Sequence, residues 1–108
     1  VNIEHEIKNN ILTIKFDGEF SVFFQDEIEK GIFQKIEEGN YKAILDFSRV
    51  NYLDSSGISI IVNTAQRTKS KVAIVGCQPN VKYVLELAEI EELIEYYESV
   101  GQAFDALS

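Results

Sequence analysis

Asp54-Ser55-Ser56-Gly57 is the segment of this chain whose residue types and spacing could do chemistry. A carboxylate precedes two hydroxyls, between an apolar strand-like run, Tyr41 to Phe47, and an amphipathic helix-like run, Ile58 to Arg67. The hydroxyls therefore fall where a helix begins. Its first N–H groups lack intrahelical partners and its macrodipole is positive there, so an added phosphoryl group is held rather than repelled. A phosphoserine brings about -1.5 to -2 charges at neutral pH, enough to switch an interaction. Ser55 is the candidate acceptor, Asp54 a natural N-cap, and Ser56 a first-turn helix residue. Gly57 serves close packing or leaves the approach uncrowded.

Other chemistries find less support. His5 is the only histidine and lies in a strand-like run, and the serine segment lacks a Gly-x-Ser-x-Gly elbow, which disfavours a Ser-His-Asp hydrolase. Cys77 is the only cysteine, so neither an internal disulfide nor a Cys/His zinc cluster is expected. A phosphorelay receiver would need an acidic pair after its first strand and a lysine after its fifth, and neither stands in a convincing place. The formal net charge is -8, from 18 acidic against 10 basic residues, which repels nucleic acid and anionic membrane surfaces. A basic or amphipathic protein partner is expected instead. No apolar stretch approaches the ~20 residues that span a bilayer, and a soluble, cytoplasmic protein is expected.

The elements that must position the motif follow from hydrophobic period. The 108 residues are read as one domain, 1–108. Ile3 to Ile7 and Ile11 to Phe16 alternate apolar with polar around Lys8-Asn9-Asn10, a hairpin. Phe24, Ile28, Ile32 and Ile36 recur every four residues and predict a helix capped at Gly39. Tyr41 to Phe47 predicts a strand buried on both faces.

In the second helix Ile58, Ile61, Val62 and Ala65 are expected to face the sheet, with Ser56, Ser59, Ile60, Asn63 and Arg67 outward. Lys71 to Val75 and Leu93 to Tyr97 predict strands; Pro79 opens a third helix and Val100 to Leu107 forms a fourth. The order ββαβαβαβα means an α/β domain, a mixed sheet of about five strands with about four helices packed on it. Right-handed crossovers leave Asp54 to Gly57 near the carboxyl edge of the sheet. Phe23 and Phe33 fall off the first helix stripe; they mark either a second contact face or an oligomer surface, or, the favoured expectation, they pack against neighbouring loops.

Leu45-Asp46-Phe47-Ser48-Arg49-Val50 followed by Tyr52-Leu53-Asp54-Ser55-Ser56-Gly57-Ile58 resembles the signature of STAS domains, specifically of bacterial anti-sigma factor antagonists. The resemblance implies a non-enzymatic partner switch. The unphosphorylated form would bind an anti-sigma factor that is also a serine kinase and free the sigma factor. Phosphorylation of Ser55 would abolish binding, and a serine phosphatase would reset it. ATP would enter only as the kinase's phosphate donor, with no resident cofactor. Asp54, Ser56, Gly57, Ser59, Ile60, Asn63 and Ser21 form the candidate partner-contact set, with Ser21 standing where many family members place an aspartate. The alternative is a STAS subunit of a transporter or stress-signalling assembly that acts without serine phosphorylation.

Overall fold

In the computed structural model, which describes residues 1–108, the chain opens with an antiparallel hairpin. Strands β1 (Asn2–Lys8) and β2 (Ile11–Phe20) are joined by Asn9 and Asn10, both at positive φ (52° and 61°). Asparagine tolerates that conformation, and two such residues in succession give the turn whose twist matches a β-ribbon. A short 3-10 turn, Val22–Phe24, then leads into α1 (Gln25–Glu37). Three strand-to-helix units follow: β3 (Lys42–Leu53) with α2 (Ser55–Thr68), β4 (Val72–Val75) with α3 (Pro79–Leu87), and β5 (Ile94–Tyr97) with α4 (Val100–Leu107).

The five strands lie in the order β1-β2-β3-β4-β5, with β2 to β5 mutually parallel and β1 antiparallel at the edge. Strand alternation sorts the core into two layers. Leu12, Ile14, Phe16, Leu45, Phe47, Val72 and Ile74 share one cluster with the inner stripes of α1, α2 and α3. Ile11, Ile44, Ala73 and Val75 form a smaller one with Ala103 of α4, flanked by Val100, Phe104 and Leu107. Helices on both sides explain why Ala43, Ile44 and Leu45 are all fully buried, as the apolar middle of that strand predicts.

Two expectations are corrected here. The third strand runs to Leu53, six residues past Phe47. Bulges between Lys15 and Asp17 and between Gly18 and Glu19 break its pairing with β2, so Val50 and Leu53 are buried three residues apart and the period-2 signal is lost. Its partner β4 ends opposite Asp46, so β2 and β3 continue as a two-stranded ribbon that carries Phe20 and Leu53 to the base of α2. The second correction concerns Gly39. Glu38 caps α1 in a right-handed conformation, and Gly39 instead lets the Tyr41 ring approach. It is α2 that ends in a left-handed residue, Lys69 (φ 54°).

Candidate functional site

The site is built where the β2–β3 ribbon meets α2. Phe16, Phe20 and Phe47 are fully buried under it with ring centroids 4.9 to 5.9 Å apart, two of the pairs edge-to-face, which makes a stiff footing. Gly57, in the first turn of α2, is pressed against that footing. A Cβ there would sit 2.5 Å from Leu53 Cδ1, 2.9 Å from Phe20 Cδ1, and on top of the Phe20 carbonyl oxygen. Only glycine allows the helix start to come this close.

Asp54 is the N-cap of α2, in extended conformation (φ -121°, ψ -173°). Its Oδ1 accepts the Gly57 N–H at 3.1 Å, satisfying one of the helix's unpaired donors. Its Oδ2 accepts the Val22 N–H at 3.0 Å, from the 3-10 turn before α1. One carboxylate thus ties two elements together. Ser55 is the first helical residue and is exposed, and the first turn of α2 contains no acidic residue. The positive end of the helix macrodipole is therefore unopposed from within the helix, apart from the Asp54 cap.

Around this centre the expected contact residues separate. Asp54, Ser55, Ser56, Ser59 and Asn63 keep exposed or half-exposed surface. The Ser59 hydroxyl donates back to the Ser55 carbonyl at 3.1 Å. Three others do not reach the surface. Ile60 is fully buried, contrary to the expectation that it faces outward, because the inner stripe of α2 is Gly57, Ile60, Ile61, Thr64 and Ala65. Gly57 is buried by its contact with Phe20, and Ser21 is buried with its hydroxyl unpaired. Of the residues expected to face the sheet, Ile61 and Ala65 are buried, Ile58 is partly buried against the core, and Val62 is partly exposed.

Phe23 is 82 % exposed, so the favoured expectation that it packs against neighbouring loops is overturned, and sequence reasoning missed Val22 and Tyr52 beside the motif, which are about half exposed. Phe23's departure from the helix stripe was the available signal; Val22 and Tyr52 gave none. The resulting surface has an exposed hydroxyl at a helix start with apolar side chains close in sequence or tied to its cap. Two large hollows, about 680 and 690 Å³, lie elsewhere, the first around Glu37, Tyr41 and Arg67 and the second around Gly76, Cys77 and Lys82.

A family model described as STAS domain matches residues 2–103. The chain belongs to the STAS domain family. This STAS domain is 22% identical over 101 residues to the anti-sigma-B factor antagonist of Staphylococcus epidermidis, covering 91% of this chain and 94% of that one. Among solved structures it is similar to an anti-sigma-factor antagonist (STAS) domain protein from Planctomyces limnophilus. There the TM-score is 0.88 at 19% identity, covering 98% of this chain and 97% of the other. It is also similar to the Bacillus cell fate determinant SpoIIAA in its phosphorylated form, with a TM-score of 0.75 at 17% identity, covering 99% and 100%.

Elsewhere in the STAS domain, burial pushes the Cys77 thiol up to about 11, with Lys82 only partly opposing it, so the sulfur stays protonated near neutral pH. No group of three or more His, Cys, Asp or Glu side chains is arranged to hold a metal ion, and no helix is long and apolar enough to cross a membrane.

Proposed function

We propose that this STAS domain is an anti-sigma factor antagonist that works by partner switching in the bacterial cytoplasm, with Ser55 as the switch. The observation that carries this reading is the exposed Ser55 at the start of α2, on a surface with Val22, Phe23 and Tyr52 exposed nearby. Unphosphorylated, that surface binds an anti-sigma factor that is also a serine kinase, and the sigma factor is released. The kinase then transfers the γ-phosphoryl group of its ATP to Ser55 Oγ, the hydroxyl proton passes to a base of the kinase, and ADP leaves. A serine phosphatase restores the hydroxyl by hydrolysis. The names of the related antagonists, and the existence of a phosphorylated form of one structural relative, support the reading.

Physical chemistry supplies the direction of the switch. A phosphate at Ser55 adds about -1.5 to -2 charges beside Asp54, on a chain already at -8. The helix start tolerates this charge within the domain. A partner packed over Val22 and Phe23 must desolvate it. A loss of about 2.7 kcal/mol weakens binding roughly a hundredfold, and close like-charge contact with stranded polar groups reaches that size.

The test is incubation with ATP and the anti-sigma kinase of the same genome, read by intact mass and phosphosite mapping. One phosphate, on Ser55, is expected, and phosphate elsewhere or none rejects the assignment. Ser55→Ala should bind the kinase and resist release by ATP, and Ser55→Asp should bind about a hundredfold more weakly. Equal affinities would remove Ser55 from the switch.

A further inference from the structure

The turn that carries Phe23 has no cap of its own. Ser21 occupies its N-cap position in extended conformation (φ -141°, ψ 173°), yet its side chain makes no capping bond and its hydroxyl is buried without a partner. The first N–H of the turn, that of Val22, donates instead to Asp54 Oδ2, 32 residues away in sequence. The other oxygen of the same carboxylate caps α2 through Gly57. One side chain therefore caps α2 and also satisfies a free N-terminal donor of a second helical segment. One of them bears the exposed Ser55; the other bears Val22 and Phe23, 54 % and 82 % exposed.

Such an arrangement does more than stabilise a helix. An uncapped three-residue turn bearing a large exposed aromatic would sample many orientations, and a partner would have to meet the cost of ordering it. With Val22 tied to Asp54, the backbone of the turn that carries Phe23 is held against the start of α2 before any partner arrives. We propose that Asp54 is a positioning residue for partner recognition. Through its second oxygen it fixes the Phe23-bearing turn against the helix that carries Ser55, so that apolar contact and phosphoacceptor form one surface. The proposal rests on the antagonist reading above for the identity of the partner, but the bridge itself belongs to the free protein.

Asp54→Asn separates the two tasks. Asparagine is as good an N-cap as aspartate, so its carbonyl keeps the Gly57 bond, while its NH2 group then faces the Val22 N–H, donor against donor. Asp54→Ala loses both bonds. Val22→Pro removes the donor together with the exposed valine side chain, at a position suited to proline: the first residue of a helical turn, after a residue already extended. It is therefore read against Val22→Ala, which loses the side chain and keeps the N–H.

The measurements are amide hydrogen exchange at Val22 in the isotope-labelled chain, the thermal midpoint, and affinity for the ADP-bound kinase that modifies Ser55. Expected for Asp54→Asn are Val22 exchange at least tenfold faster where the amide remains, a thermal midpoint near that of the unaltered chain, and at least tenfold weaker binding, close to Asp54→Ala. Val22→Pro should bind at least as weakly as Asp54→Asn and more weakly than Val22→Ala; equal binding by the two Val22 variants would overturn the proposal. Asp54→Asn binding as tightly as the unaltered chain would reduce Asp54 to a cap and overturn the proposal. Unchanged Val22 exchange in Asp54→Asn would overturn it too, whatever the binding. Should no kinase modify Ser55, the antagonist reading fails, while Val22 exchange still decides whether Asp54 fixes the turn.

Discussion

Gly57→Ala probes the contact that seats the start of α2. At an unobstructed helix position alanine is more stable than glycine by about 0.5–1 kcal/mol. Here the new methyl would stand 2.5 Å from Leu53 Cδ1 and closer still to the Phe20 carbonyl oxygen. Carbon atoms pack best at about 3.5–4.0 Å, so something must move by on the order of 1 Å. Leu53 can change rotamer only within a core where it is 4 % exposed, and the Phe20 carbonyl is fixed by the backbone of β2 and by the ring packed against Phe16 and Phe47. Inserting a methyl into such packing costs about 1–3 kcal/mol. Set against the propensity gain this leaves about 0–2.5 kcal/mol, and because the nearest obstacle is a backbone oxygen rather than a flexible side-chain end the upper part applies, a net loss of about 1–2.5 kcal/mol and a fall in Tm on the order of 5–15 °C. Because the chain has no tryptophan, urea unfolding followed by far-ultraviolet circular dichroism is the assay, with an unchanged m-value as the check on two-state behaviour. Partner binding should fall as well, since the displaced helix start carries Asp54 and Ser55 with it. An alanine variant as stable as the unaltered chain would refute the close-packing account.

Ile60→Ala should lose about 2–5 kcal/mol because the side chain is fully buried, whereas Ile58→Ala, half-exposed on the same helix, should lose far less; chemical denaturation of the pair checks the phase of α2. Phe23→Ser, at 82 % exposure, should leave stability within about 0.5 kcal/mol and weaken kinase binding at least tenfold, and a large fall in Tm would show that Phe23 is packed. Cys77 titrates at about 11 rather than 9.0, so the folded state resists ionising the thiol. At pH 8 its thiolate fraction, and hence its alkylation rate, should be roughly a hundredfold below that of an unhindered thiol with the 9.0 value, and should recover in urea. Because this folded pKa is raised by desolvation of an acid, the associated stability is complete below about pH 9 and declines as pH rises from 9 towards 11.

Most of the architecture was legible because period and punctuation agreed. Asn9-Asn10 marked the hairpin, Ile28, Ile32 and Ile36 the inner face of α1, and Pro79 the first residue of α3. The end of β3 was not legible, and the reason is local. Gly18, at φ 126°, and the register shifts beside it turn the β2–β3 ribbon, so Ser48 to Leu53 no longer alternate and read as a loop. Those residues extend the strand until it delivers Asp54 to its place, so the irregularity that concealed the element also positions the site.

The site shows the same division between what composition signals and what contact decides. Asp54 and Ser55 were readable because capping and exposure at a helix start are local properties of the chain. The face of α2 was misread because its buried stripe includes Gly57 and Thr64, residues that hydropathy scores as indifferent. Gly57 is buried because β2 approaches it, and Thr64 tolerates burial because its hydroxyl donates to the Ile60 carbonyl at 2.7 Å. Counting only the strongly apolar residues kept Ile61 and Ala65 inside but centred the stripe too far towards Ile58 and Val62, and so turned Ile60 outward. The error has a functional corollary. With Ile60 inside, the apolar surface near Ser55 comes mainly from Phe23, Val22 and Tyr52, residues of the turn before α1 and of the ribbon. A partner that reads both must span two separate stretches of sequence, and the Asp54–Val22 hydrogen bond is where those stretches meet.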